Sequence, residues 1–135
     1  MTKQKTNILI LEDHDSVRLL LGTTFRAENY SVVTKKDGIE GMAWLAAGNI
    51  PNMIILDINM PRLNGLDFMR QINRSGLYKD IPVMMLTAND DEDDIIEAFT
   101  LGIQNYIQKP FNPVSLKDKV RKILKQVNVG AVAAA

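Results

Sequence analysis

The chain has 135 residues, of which 46% are hydrophobic, enough for one domain with a real hydrophobic core. Lys and Arg number 16 and so do Asp and Glu, a balance that argues against a nucleic-acid or anionic-membrane surface. With no cysteine there is no disulfide framework, thiolate metal site or Cys nucleophile, and no apolar stretch approaches the roughly 18–20 residues of a membrane span. The polar start over 1–6 is not a secretory signal, so a cytoplasmic protein is expected.

Residues 7–11 form a short apolar strand, followed at once by Glu12, Asp13, His14 and Asp15. Asp15 or Ser16 could cap a helix whose apolar face is Val17, Leu20, Leu21 and Phe25. The β-branched and aromatic stretch 30–34 is a second strand. Asp37 is read as the N-cap of a second helix with Ile39, Met42, Ala43 and Ala46 on one face, and Gly48 as its stop.

Met53, Ile54, Ile55 and Leu56 make a third strand that delivers one carboxylate, Asp57, to its end before Pro61 and Gly65 turn the chain away. A continuous apolar run bounded by turn signals reads as a strand buried on both faces. Leu66, Met69 and Ile72 mark a third helix closing near Ser75 and Gly76. A fourth strand covers 81–87, with Pro82 near its start where a missing donor is tolerated. Beyond a polar, acidic run, Ile95, Ala98 and Phe99 stripe a fourth helix ending at Gly102. A weaker edge strand covers 104–108, and Lys109-Pro110-Phe111 ends it. Leu116, Val120, Ile123, Leu124 and Val127 stripe the last helix.

Five strands thus alternate with five helices over 7–127, between a tail at 1–6 and a tail or linker remnant at 128–135. Such alternation implies a single α/β domain with a parallel sheet and helices on both faces. In an open parallel sheet, function gathers outside the carboxyl ends of the strands. There the sequence puts Glu12 and Asp13 after strand one, Asp57 after three, Thr87 after four and Lys109 after five.

Clustered carboxylates stay ionised together only when a cation joins them. Oxygen ligation suits Mg²⁺, with Mn²⁺ as an alternative, better than zinc or copper. His14 is one imidazole; it does not make a zinc site and is given no direct chemical role. A carboxylate, a hard dication, a hydroxyl and a lysine together suit phosphoryl transfer onto Asp57, where charge on the phosphoryl oxygens must be neutralised.

Taken singly, each residue has a plainer reading. Glu12 and Asp13 could be helix-entry residues, Asp57 a strand-end turn, Thr87 a β-branched strand residue, Lys109 a solvated lysine and Tyr106 an edge aromatic. The plain readings give way because four of five strands carry a fitting chemical group at the same end.

Over roughly 7–127 the chain resembles the receiver domain of two-component response regulators. The matching motifs are Leu11-Glu12-Asp13, Leu56-Asp57-Ile58-Asn59-Met60-Pro61 with Asn64-Gly65, Leu86-Thr87-Ala88 and Tyr106-Ile107-Gln108-Lys109-Pro110-Phe111. The resemblance implies a flavodoxin-like five-stranded sheet of order 2-1-3-4-5. It implies Asp57 as phosphoacceptor from a histidine kinase or phosphotransfer protein, and Asp13, Asp57 and the Asn59 carbonyl as Mg²⁺ ligands, with Glu12 acting through water. Lys109 is then the phosphate counter-charge, with a cis peptide bond to Pro110. Thr87 and Tyr106 form the switch pair, and Asn59 and Asn89 stand where dephosphorylation is tuned.

The implied readout surface is helix four, strand five and helix five, about 91–127, facing a protein target or a missing output domain. Neither direct nucleic-acid binding nor membrane association is implied, and a phosphorylation-linked homodimer is left open. Two departures stand out: His14 replaces a commonly acidic residue, and Gln104-Asn105 precede the switch aromatic in place of small and acidic ones.

Two other functions use similar parts. A haloacid-dehalogenase-type phosphatase needs a second acid two residues after its nucleophile, where Asn59 offers no useful proton exchange. A flavodoxin-like flavin binder would cradle a phosphate in the first loop, where Glu12, Asp13 and Asp15 would repel it. A pseudo-receiver usually lacks a site residue, whereas none is missing here.

Overall fold

The computed structural model describes residues 5–88 and 92–134. The elements are β1 (Asn7–Leu11), α1 (Asp15–Ala27), β2 (Ser31–Lys35), α2 (Gly38–Ala46), β3 (Met53–Asp57), α3 (Gly65–Ser75), β4 (Val83–Thr87), α4 (Glu92–Thr100), β5 (Asn105–Gln108) and α5 (Pro113–Ala134). The five strands form one parallel sheet in the order β2-β1-β3-β4-β5. Among the described residues no helix is long and apolar enough to cross a membrane.

The period-two geometry of the strands splits the core into two layers. Leu9, Leu11, Ile54, Leu56 and Met85 face one side and pack with Leu45, Phe68, Met69, Ile72 and Ala98 from α2, α3 and α4. Ile8, Ile10, Ile55, Met84 and Leu86 face the other and pack with Leu21 and Phe25 of α1 and Leu116, Val120 and Ile123 of α5. Each large side chain buried here contributes on the order of 1.5–3 kcal/mol relative to exposure. β3 lies at the centre with every residue buried, which is why its five positions read as an unbroken apolar run ending in Asp57.

Several local expectations are corrected. The N-cap of α1 is His14, with no side-chain cap bond; Asp15 is the first helical residue and favours the helix dipole from inside the first turn. Leu20 is about half exposed, because Leu21 and Phe25 share the inward face and a residue one step away is turned by about 100°. In α2 the inward positions are Gly38, Gly41 and Leu45, whereas Ile39, Ala43 and Ala46 are exposed. A Cβ on Gly41 would lie 2.8 Å from a methyl of Leu11, so α2 approaches the sheet along its glycine edge and turns its bulkier residues out.

In α4, Ala98 is buried while Phe99 is half exposed. Val127 is also substantially exposed. α5 runs on as helix to Ala134; alanine is the best helix former, and no proline interrupts the run. β2 and β4, expected from 30 and 81, begin at Ser31 and Val83; the expected helix ends stand, with Asp37 capping α2 by accepting from the Glu40 amide at 2.9 Å and Gly48, Gly76 and Gly102 at positive φ beyond helix ends.

Candidate functional site

The first loop places two acids in different settings. Glu12 is fully buried behind the end of β1, held by its backbone N–H to the Lys35 carbonyl at 3.0 Å. Asp13, one residue on, faces the cleft and stays partly exposed. Arg18 donates to the Glu12 and Asp13 carbonyls at 3.0 and 3.3 Å, tying α1 back onto the loop.

Asp57 lies at the carboxyl end of β3 beside the end of β1 and is 2% exposed. The chain folds back directly behind it: the Gly65 N–H donates to the Ile58 carbonyl at 2.9 Å. A Cβ on Gly65 would lie 2.6 Å from the Asp57 carbonyl oxygen, so only glycine lets α3 start this close to the acid. One Asp57 oxygen, Oδ1, accepts the Asn59 N–H at 3.2 Å. The other, Oδ2, accepts no hydrogen bond, and neither does Asp13 Oδ1.

Lys109 enters from the end of β5. Its Nζ donates to Glu12 Oε1 and Oε2 at 3.1 and 3.0 Å and stands 3.5 Å from Asp57 Oδ2. Its backbone N–H donates to the Thr87 carbonyl at 2.7 Å, joining the ends of β5 and β4, and its peptide bond to Pro110 is cis. Thr87 is buried at 4% exposure.

One ammonium therefore faces Glu12 and Asp57, with Asp13 close by. Burial, then the Glu12 charge and a hydrogen bond with Asp13, push the Asp57 carboxyl up from 3.8 to about 7; Lys109 and the Asn59 amide pull the other way without prevailing. Buried acceptors without donors and a carboxylate forced towards neutrality describe a place suited to a dication. Glu12, Asp13, His14 and Asp57 each offer an atom within 4.8 Å of the others.

The fold thus brings together Glu12, Asp13, Asp57, Thr87 and Lys109. Tyr106 stands apart: the residue is 40% exposed, and its ring meets Phe99 edge-on, with centroids 6.5 Å apart, on the surface of α4 and β5. Asn59 contributes its amide to Asp57, while its side chain faces outward in an exposed residue. Asn89 lies outside the described residues.

Sequence reasoning missed a second anchor. The buried Asp37 carboxylate receives Arg62 Nε and Nη2 at 2.8 and 2.6 Å, clamping the start of α2 to the loop that follows Asp57. Arg62 has φ +67°, a left-handed backbone uncommon outside glycine and Asn. Its one available signal was an Asp at an N-cap; the partner lies 25 residues away and leaves no local trace. An open cleft beside the acids is lined by Asp13, Lys36, Asp37, Glu40, Pro61 and Arg62.

Comparison with known proteins places these features in a family. A family model described as "Response regulator receiver domain" matches residues 8–121. The chain is 32% identical over 118 residues to the chemotaxis protein CheY1 of Helicobacter pylori, covering 87% of this chain and 95% of that protein. It is 33% identical over 124 residues to the alkaline phosphatase synthesis transcriptional regulatory protein PhoP of Bacillus subtilis, covering 92% of this chain and 50% of that one. The chain spans about half the length of several curated relatives it matches, among them a probable transcriptional regulator ycf27 of Guillardia theta at 38% identity, with 96% of this chain and 49% of the relative covered. Among solved structures, the chemotaxis protein CheY4 of Vibrio cholerae superposes with a TM-score of 0.81 at 29% identity, covering 88% of this chain and 98% of that one.

Proposed function

Because the chain belongs to the response regulator receiver domain family of two-component systems, we propose that it is a phosphorylation switch whose acceptor is Asp57. A histidine kinase partner is what membership implies. The observation that carries the proposal is the state of Asp57: a buried carboxylate with one oxygen free of hydrogen bonds, 3.5 Å from a lysine ammonium and beside two further acids.

In the proposed step an Asp57 oxygen attacks the phosphorus of a phosphohistidine. The new P–O bond forms as the P–N bond breaks, and the imidazole leaves with the electron pair and takes a proton. The Asn59 amide on Oδ1 leaves Oδ2 as the open nucleophile. Lys109 supplies a fixed positive charge beside the incoming phosphoryl oxygens, of the kind that dominates catalysis of such transfers. Asp13, Asp57 and the Asn59 carbonyl would hold Mg²⁺ (or Mn²⁺), with Glu12 acting through water, and the unpartnered oxygens of Asp13 and Asp57 support that assignment. The ion supplies charge neutralisation for the phosphoryl oxygens.

Output then depends on Thr87 and Tyr106. Phosphorylation draws the Thr87 hydroxyl towards the phosphoryl group, and the Tyr106 ring, now half exposed against Phe99, moves inward behind it. The changed surface is α4, β5 and α5, read by a protein target or by an output domain of a longer chain in the cytoplasm. Asn59 and Asn89 would set how fast the aspartyl phosphate is lost.

Intact mass after incubation with a small phosphodonor and Mg²⁺ tests this directly. One added phosphoryl group is expected in the wild type and none in Asp57→Asn. No addition in the wild type, or equal addition in the variant, would overturn it.

A further inference from the structure

We propose that Asp37 and Arg62 are positioning residues for Asp57: their ion pair holds the 58–64 loop in a strained backbone form that presents the Asn59 amide and carbonyl to the acidic site. Both act through the loop backbone and not on the reacting atoms. The loop is closed at its base by the Gly65 N–H on the Ile58 carbonyl at 2.9 Å, and further out by the Leu63 N–H on the Pro61 carbonyl at 2.8 Å. That second bond spans the single residue Arg62, whose φ is +67°. A positive φ gives this turn the sense of the rare, strained γ-turn, since the common inverse form has a negative φ. A residue other than glycine persists in such a conformation only where its surroundings over-determine it.

Asp37 supplies that restraint by dividing its oxygens between two tasks. Oδ1 accepts the Glu40 N–H at 2.9 Å and caps α2, while Oδ2 takes both Arg62 donors at 2.8 and 2.6 Å. A cap needs only the first oxygen. Gly38 tightens the same joint, because a Cβ there would lie 2.6 Å from the Leu63 carbonyl oxygen. Two residues before Asp37, the Lys35 carbonyl accepts the Glu12 N–H at 3.0 Å. The short β2–α2 connection therefore braces the loop of Glu12 and the loop of Asp57 together. A simpler account leaves the loop to its buried apolar side chains, Ile58, Met60 and Leu63. Apolar burial sets how deep those side chains sit but is non-directional. The peptides on either side of Asn59, whose N–H meets Asp57 Oδ1 at 3.2 Å, need a directional restraint, and charge-assisted hydrogen bonds supply one.

The inference rests on the phosphoacceptor reading for its effect on rate, and on the loop geometry alone for the rest. Two variants separate the clamp from the cap. Asp37→Asn keeps a capping oxygen and removes the charge that holds Arg62. Arg62→Ala removes the donors from a side chain that is 54% exposed. These two and the double variant are compared with the wild-type full chain at a temperature where circular dichroism shows all four folded. In the metal-free chain, hydrogen exchange of the Asn59 amide is expected to quicken about tenfold or more in each variant. Mg²⁺ affinity by calorimetry should fall about tenfold, and the rate of phosphoryl uptake from a small phosphodonor at saturating Mg²⁺ by a similar factor. The double variant should be within about twofold of the worse single one, because both changes break one clamp.

Asn59 exchange and Mg²⁺ affinity within about twofold of wild type in both variants, despite lowered stability, would reduce the pair to a structural joint and overturn the inference. Single effects that multiply in the double variant would overturn it as well. A wild-type chain that accepts no phosphoryl group would instead sink the phosphoacceptor reading, while the exchange and Mg²⁺ measurements still decide the clamp.

Discussion

Asp37 and Asp57 are both aspartates, both 2% exposed, and both sit where a strand gives way to a loop at one end of the sheet. Their charge states diverge. Burial alone would raise the Asp37 carboxyl, but the Glu40 amide, two bonds and the charge from Arg62, and the Ile39 amide outweigh it and hold Asp37 below its ordinary value. Asp57 has one amide and a lysine shared with Glu12, and burial wins, carrying it to about 7. Burial sets the cost of a charge; the number of dedicated donors decides whether that cost is met. Asp37 is a finished structural joint. Asp57 is left short of partners, as the proposed receipt of an ion and a phosphoryl group would require.

Exchanging the two roles should fail in opposite ways. Asp57→Asn is expected to abolish phosphoryl acceptance, read by intact mass, while the metal-free protein keeps or gains stability, because a crowded charge is removed. Asp37→Ala should leave phosphoryl acceptance measurable yet lower stability by about 2–3 kcal/mol in urea unfolding, since a cap is lost and Arg62 loses its partner. An Asp37→Ala protein as stable as wild type would remove the contrast.

The pH dependence sharpens the comparison further. Between about pH 4 and 7 the native protein holds a proton on Asp57 that the unfolded chain has released, so the stability it contributes is full below 3.8 and is lost as pH rises through about 7. The metal-free protein should therefore lose stability from pH 4 to pH 7, with a lower urea midpoint at the higher pH. Mg²⁺ should reverse the trend, and Asp57→Asn should flatten it. Asp37 carries the opposite sign: its contribution is present above 3.8 and disappears as pH falls below that value.

The smallest effect is expected at Arg62. Arg62→Gly relieves a left-handed backbone worth about 1 kcal/mol but strips the buried Asp37 carboxylate of two of its donors, so a net loss of about 1–2 kcal/mol is expected, smaller than that of Asp37→Ala. Arg62→Ala keeps the backbone conflict and should be the less stable of the two in the same assay.

Much of this molecule was readable in advance, for reasons that differ by element. The runs at Ile54–Leu56 and Met84–Leu86 are locally encoded, because a strand covered on both faces must be apolar at every position. Asp37 announced itself as a cap through the helix behind it. By contrast the expected inward face of α2 holds only at Met42, which packs on the core: the close approach allowed by Gly41 against Leu11 turns Ile39 to solvent. In α1 the sequence predicts a cap at Asp15 or Ser16, whereas His14 stands at the N-cap without a side-chain bond.

The sequence by itself determined the alternation of five strands and helices and the chemical types at the strand ends, because periodicity and turn chemistry act over a few residues. Tertiary structure alone decided who meets whom. It put Lys109 on Glu12 across 97 positions and Arg62 on Asp37 across 25, and brought the His14 imidazole to two carboxylates while leaving an Asp57 oxygen bare. Those meetings depend on strand order and loop closure, which no local pattern contains, and they separate the carboxylate that holds the fold, Asp37, from the one left with a bare oxygen, Asp57.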